Sequence, residues 1–262
     1  SDFCGPVSLA SEPALIGNLS PIRQEDAVVA LPYLFSGYFL LGNVVLMQTW
    51  GLSFPDTNAV ERMRAGDNTA LQAHLQSAME QRATSRYGAV CATPFQAARL
   101  GLKGKLASDG DFKAGQVPFY IADARAYGDL NRKMASGGFT LEALPLNGFT
   151  DQVQYIGPDR EAAGKEKEHI AAIIELLLNE KSQAKLTALG ALPVVQLSKQ
   201  PQYADGMLQS FYESYRMPIV PEPMRFGENR AALLDAANRM AGGDTGAEAE
   251  FQRLFQQIAG TG

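Results

Sequence analysis

Histidine is nearly missing from this sequence, with two residues in 262. General acid–base and metal chemistry draw on imidazole more than on any other side chain, so the scarcity argues against a hydrolase or a metal centre. Cysteine is equally sparse. Cys4 and Cys91 lie far apart and form neither a CxxC pair nor a disulfide framework, so they read as small buried hydrophobes and leave the redox compartment open. Positive charge is also short: 23 Lys+Arg against 28 Asp+Glu give a formal charge of −5, with no surplus to neutralise a phosphate backbone. Nucleic acid is therefore not expected as a partner. The longest apolar stretches, Ala27–Leu34 and Phe39–Met47, are interrupted by Pro32, Gly42 and Asn43 and fall short of the roughly 20 residues of a membrane span. No basic segment followed by an apolar one precedes Ser1, so an export signal is expected to have been removed or never present.

Catalytic motifs are missing as well. There is no HExxH, GxSxG, GxxxxGK[ST] or GxGxxG. His74 sits at the edge of the helical face Leu71, Leu75, Met79, and His169 beside Ile170, Ile173, Ile174 and Leu177; both read as helix-packing residues. Ser182-Gln-Ala-Lys185 matches SxxK but lies in a helical run with no KTG downstream. The expectation is a non-enzyme with no cofactor and no bound metal.

What is present is ample apolar material, 46% of residues, enough for a substantial core in one large domain or two small ones. Strands and helices alternate. Ser11 is placed to cap a short helix through Ile16, Ala27–Leu31 reads as a strand closed by Pro32, and Tyr38–Leu41 as a second strand. A helix follows from Val44 to Trp50, another from Asn68 or Thr69 to about Ala83, then a strand at Tyr87–Cys91 and a helix opened by Thr93-Pro94. Val117–Ile121, Phe139–Leu144 and Val153–Ile156 read as strands, with Asp123 capping a helix after the first. The last third is mostly helical: Glu161–Glu180, Lys181–Leu189, a stripe through Met207 and Tyr215, and, after the proline-rich link 217–224, Asn229–Met240 and Gly246–Ile258. This alternation favours an α/β sheet architecture with a helical tail.

The order of short motifs resembles the carbohydrate-type extracellular solute-binding proteins of ABC transporters, nearly end to end. Ser1-Asp2-Phe3-Cys4-Gly5 and the phrase Gly17-Asn-Leu19-Ser-Pro-Ile22 resemble the family's early strand and the helix end that follows it. Ala30-Leu31-Pro32-Tyr33 resembles the strand leaving the first lobe, and Leu41-Gly42-Asn43, Gly51-Leu52 and Pro55-Asp56-Thr57 the sequence after it. Phe112-Lys-Ala-Gly115, Leu144-Pro-Leu146 and the block from Ala171 through Gln183 to Pro193 complete the series. Two departures stand out. Asn58 replaces the family's usual tryptophan and Trp50 reads as packing, so no tryptophan platform carries over. The chain also begins where the family has reached its third strand, so the first lobe is expected to be incomplete, as in a fragment or a reduced relative.

The resemblance implies a two-lobed periplasmic-binding-protein-like fold of type II, with hinge crossings and C-terminal helices. The first lobe is expected at 1–33 plus 144–197 and the second at 34–143 plus 198–262. It implies an extracytoplasmic component of an ABC importer, a periplasmic or lipid-anchored surface protein, monomeric, which captures a sugar or oligosaccharide in the inter-lobe cleft by hinge closure and docks to permease subunits. Residues near the crossings are the candidate ligand contacts: Tyr33, Phe35, Ser36 and Tyr38 at the first, Asp123, Arg125 and Tyr127 after a strand end, Asn147 and Phe149 after the second. Sugars present an apolar ring face and a rim of hydroxyls, which suits aromatic planes beside Asp, Asn and Arg. The alternatives are a ligand-sensing effector domain of a regulator with the same fold, which would need a helix-turn-helix elsewhere, and an enzyme using Asp123 and Arg125.

Overall fold

The computed structural model describes residues 4–16, 19–65, 67–134, 140–146, 152–186, 191–203, 205–214 and 227–259. The first elements are β1 (Ile22–Gln24), β2 (Ala27–Phe35), β3 (Tyr38–Asn43), α1 (Val44–Thr49), α2 (Thr57–Arg64) and α3 (Thr69–Gln81). They are followed by β4 (Val90–Cys91), α4 (Pro94–Arg99), α5 (Asp109–Lys113), β5 (Phe119–Asp123), α6 (Ala124–Met134), β6 (Leu141–Leu146) and β7 (Val153–Ile156). Among the described residues five helices follow: α7 (Lys165–Leu178), α8 (Glu180–Lys185), α9 (Gly206–Ser214), α10 (Gly227–Ala241) and α11 (Ala247–Ala259). The chain forms two compact units, one of Ser1–Gly37 and Phe149–Met224, the other of Tyr38–Gly148 and Arg225–Gly262.

Unit 1 carries a three-stranded sheet in the order β1-β2-β7, antiparallel throughout. Strand β2 runs on through Pro32 instead of stopping there. The pairing with β1 reaches only Ala30, so at Pro32 one side of the strand has no ladder partner in the sheet and the missing N–H costs nothing. The helix expected from Ser11 to Ile16 is absent. Leu15 bridges Val195, the Ile16 N–H donates to Val194 O at 2.9 Å, and the Gln196 N–H donates to Ala14 O at 2.8 Å. Backbone pairing across some 180 residues of sequence has overridden a local capping signal. Helix α7 is shorter than the periodicity implied, because the turn at Asp159–Ala162 and Gly164, at φ 52°, occupy its expected first turn. Its apolar stripe is also divided: Ile174 is buried while Ile173 is 53% exposed.

Unit 2 is built on a four-stranded sheet, β4-β5-β3-β6. Strand β3 is buried along its whole length and pairs antiparallel with β5 and β6, whereas β4 and β5 are parallel. A continuous apolar run is what a central strand covered on both faces requires. Pro145 lies on the edge strand β6 opposite Phe39, a position that needs no donor on its outer side. Helix α4 starts with a capping box: Thr93 Oγ1 accepts the Gln96 N–H, and Gln96 Oε1 accepts the Thr93 N–H at 2.8 Å. Its Phe95 and Ala98 join Leu233, Ala237, Met240, Phe251, Leu254 and Phe255 of α10 and α11 in one core cluster.

The unit boundaries differ from the lobes expected above. The register Leu40↔Leu144 and Tyr38↔Leu146 ties Leu144–Leu146 into the sheet of unit 2, and β2 keeps 34 and 35 in unit 1. The segment 198–224 groups with unit 1.

Candidate functional site

In unit 2, the expected contacts gather at one end of the sheet. Tyr38, the first residue of β3, has Asp123 of β5 as its partner on one side and Leu146 of β6 on the other. The chain enters the unit at this row and leaves it just beyond, and β5 passes here into α6. Asp123 accepts the Ala126 N–H on Oδ1 at 2.6 Å, capping α6 as its sequence position implied. Arg125, one residue into that helix, is exposed. The two tyrosines are packed: Tyr38 is 2% exposed and Tyr127 6%, with the Tyr127 ring stacked on Phe39 at 4.6 Å and 16°. Asp123 and Arg125 are thus accessible polar groups at this end. A strand's carboxyl end running into a helix is where ligands of α/β sheets commonly sit.

In unit 1, Tyr33 is half-buried and its hydroxyl donates to Gln154 Oε1 of β7 at 2.7 Å. Phe35 is fully buried, and its carbonyl accepts the Leu192 N–H at 3.0 Å. Ser36 is half-buried, with its N–H donating to Gln152 O at 3.0 Å. Phe35, Tyr38 and Tyr127 therefore stand as core side chains, while Tyr33, Ser36, Asp123 and Arg125 keep accessible surface. Asn147 and Phe149 lie outside the described residues.

Two glutamines escaped the sequence reading, and the role of a third was not read. Gln152 and Gln154 flank or belong to β7, where polar residues alternate with Val153 and Tyr155, a period-two signal that marks one face but no partner. Gln183 belongs to the motif block that runs to Pro193; it is 1% exposed and donates through Nε2 to the carbonyls of Tyr33 at 3.0 Å and Leu177 at 2.9 Å. Its Oε1 accepts the Val194 N–H at 2.8 Å.

One cluster of shifted groups in unit 2 lies around β4 and β5: burial, reinforced by the charges of Asp109 and Asp111, pushes the Cys91 thiol up to about 12, and burial with Asp109 raises the Tyr120 phenol. His74 Nε2 lies 2.9 Å from Ser53 O, with its ring against the edge of Phe119. Among the described residues no three His, Cys, Asp or Glu side chains are grouped to hold a metal ion, and no helix is long and apolar enough to cross a membrane.

No family model matches the sequence, and no curated protein matches it. Solved structures do. The GacH receptor of Streptomyces glaucescens, determined unliganded and with acarbose, is similar at TM-score 0.59 and 16% identity over 98% of this chain and 79% of its own. A Streptococcus pneumoniae solute-binding protein in complex with the blood group A-trisaccharide matches at TM-score 0.60 and 10% identity, over 91% and 73%. An ABC substrate-binding protein from Listeria monocytogenes in complex with cycloalternan matches at TM-score 0.50 and 13% identity, over 91% and 73%. At such identities the likeness is one of fold, and the fold of this chain is the periplasmic-binding-protein-like α/β fold that these sugar-binding proteins share.

Proposed function

We propose that this chain is the extracytoplasmic solute-binding component of an ABC importer and that it captures a sugar or oligosaccharide. The observation that carries the reading is the likeness of fold over 98% of the chain to a receptor solved with acarbose. The accessible groups at the crossing ends support it: Tyr33 offers an aromatic plane, and Ser36, Asp123, Arg125 and Gln154 offer hydroxyl, carboxylate, guanidinium and amide partners for a rim of hydroxyls. In this reading the sugar is held by both units and closure about the crossings at 37/38, 148/149 and 224/225 traps it, because contacts with both units favour the closed population. The protein acts as a monomer, catalyses no reaction, and delivers its ligand to permease subunits.

The test is thermal unfolding with acarbose, maltose, blood group A-trisaccharide and a chitin oligosaccharide. A ligand at a hundred times its Kd adds about 2.7 kcal/mol, a melting shift of several degrees. Asp123→Asn and Arg125→Ala should each weaken binding of the responding sugar with little change in the unliganded melting temperature. A chain that responds to none of the panel, or whose response survives both substitutions unchanged, contradicts the assignment.

A further inference from the structure

Two features of unit 1 meet at one buried glutamine. The register between β2 and β7 slips between Pro32 and Leu34: Pro32 faces Tyr155 and Leu34 faces Gln154, so Tyr33 is the extra residue of a bulge. A bulge interrupts the in–out alternation of a strand and re-aims a side chain. Here Tyr33 and Leu34 are both half-buried, between a buried Pro32 and a buried Phe35. The carbonyl of the extra residue accepts from the Gln183 side chain at 3.0 Å.

Burying an amide is costly unless its hydrogen bonds are made inside. Gln183 makes them to three separate segments, the Tyr33 bulge, the end of α7 at Leu177, and the extended stretch at Val194. A fully paired buried group of this kind is rigid, and it fixes the backbone from which Tyr33 projects. The Tyr33 hydroxyl in turn meets Gln154 at 2.7 Å. That bond uses the phenolic proton and a lone pair of the amide oxygen; by valence the phenolic oxygen can still accept and the amide NH2 still donate.

We propose that Gln183 is a positioning residue for ligand capture, holding the Tyr33 bulge so that the Tyr33 ring and the Gln154 amide form one contact for a sugar. The inference rests on the sugar-binding reading above and adds to it a residue remote from the ligand. Gln183 acts through Tyr33 alone; Phe35, two residues along the same strand, is core.

The decisive experiment is a double-mutant cycle on the full chain, with acarbose and blood group A-trisaccharide as probes. Tyr33→Ala should weaken binding about tenfold, the scale of one lost aromatic contact. Gln183→Met should weaken it about fivefold in the parent chain and leave it unchanged in the Tyr33→Ala background. An equal loss in both backgrounds would show a general structural role and overturn the proposal. If Gln183→Met does not fold, Tyr33→Phe and Gln154→Leu test the same contact from its accessible end: each should cost affinity, and the pair together no more than either alone. A ligand-free arm separates this inference from the sugar reading. With 3-fluorotyrosine at position 33, Gln183→Met should shift or broaden the fluorine resonance; an unchanged resonance refutes positioning even if sugars bind. Lack of binding by the parent chain counts against the sugar reading, and the fluorine arm then decides the role of Gln183.

Discussion

A methyl group at Gly157 has nowhere to go. A Cβ built there falls 2.1 Å from the carbonyl oxygen of Val29 and 3.2 Å from its carbonyl carbon. The obstacle is the backbone of a buried stretch of β2, which cannot retreat as a flexible side chain would. Gly157→Ala is therefore expected to cost about 3 kcal/mol, as overpacking a rigid site does, and a urea midpoint within error of the parent would refute the contact. Cys91 is the other residue whose surroundings fix its chemistry. Its thiol is pushed up from 9.0 to about 12, chiefly by burial, so the folded chain keeps a proton that the unfolded chain gives up above pH 9. Stability from this group is whole below pH 9 and is lost as pH rises from 9 towards 12, by at most about 1.4 kcal/mol per pH unit. The native chain should show one thiol, Cys4, reacting readily with a disulfide reagent at pH 8 and the other only after denaturation; two fast thiols would remove the burial argument.

At the scale of elements, what was legible in the sequence was whatever local chemistry decides. Thr93-Pro94 followed by Gln96 announces the start of α4, and the box forms as written; Asp123 caps α6 for the same reason. The stretch 11–16 had an equally plausible cap, yet it pairs with 194–196, because a partner far along the chain is invisible to any local pattern. The bulge at Tyr33 was hidden in the same way, since a register slip belongs to two strands and not to one. Packing between elements carries the largest energies. Phe251 of α11 is fully buried, with its ring at 6.1 Å and 65° to Phe95 of α4 and at 6.1 Å to Phe255. Phe251→Ala should cost about 3–5 kcal/mol. The loss should appear in hydrogen exchange at α4, α10 and α11, and not in β1, β2 or β7; uniform loss across both units would contradict separate cores.

For the whole molecule, the first two crossings fall four and five residues beyond the bounds that the resemblance implied, and the third falls at 224/225 in place of 197/198, because Leu144–Leu146 pair within the sheet of unit 2 and 198–224 group with unit 1. The candidate contacts were legible as a composition, aromatic and polar residues near joints, while their division into core and accessible groups depends on neighbours from other segments. If a sugar is gripped by both units, bound ligand should slow hydrogen exchange at 34–37 in unit 1 and at 122–126 in unit 2 together. Slowing in one unit alone would rule out capture by closure.

The discontinuity of unit 2 also sets a timetable. Helix α4 offers Phe95 and Ala98 to partners on α10 and α11, and more than a hundred residues, including most of unit 1, separate Arg99 from Gly227. At about 5–20 residues per second, a ribosome leaves that apolar face uncovered for roughly 6–25 s in every molecule it makes. During that interval the nascent chain holds α4 without the helices that cover its apolar face, and a chaperone that shields apolar surface has its longest opportunity there. A stop codon anywhere before α10 would make the exposure permanent, so nonsense truncations late in this chain should yield aggregates in place of a smaller folded protein.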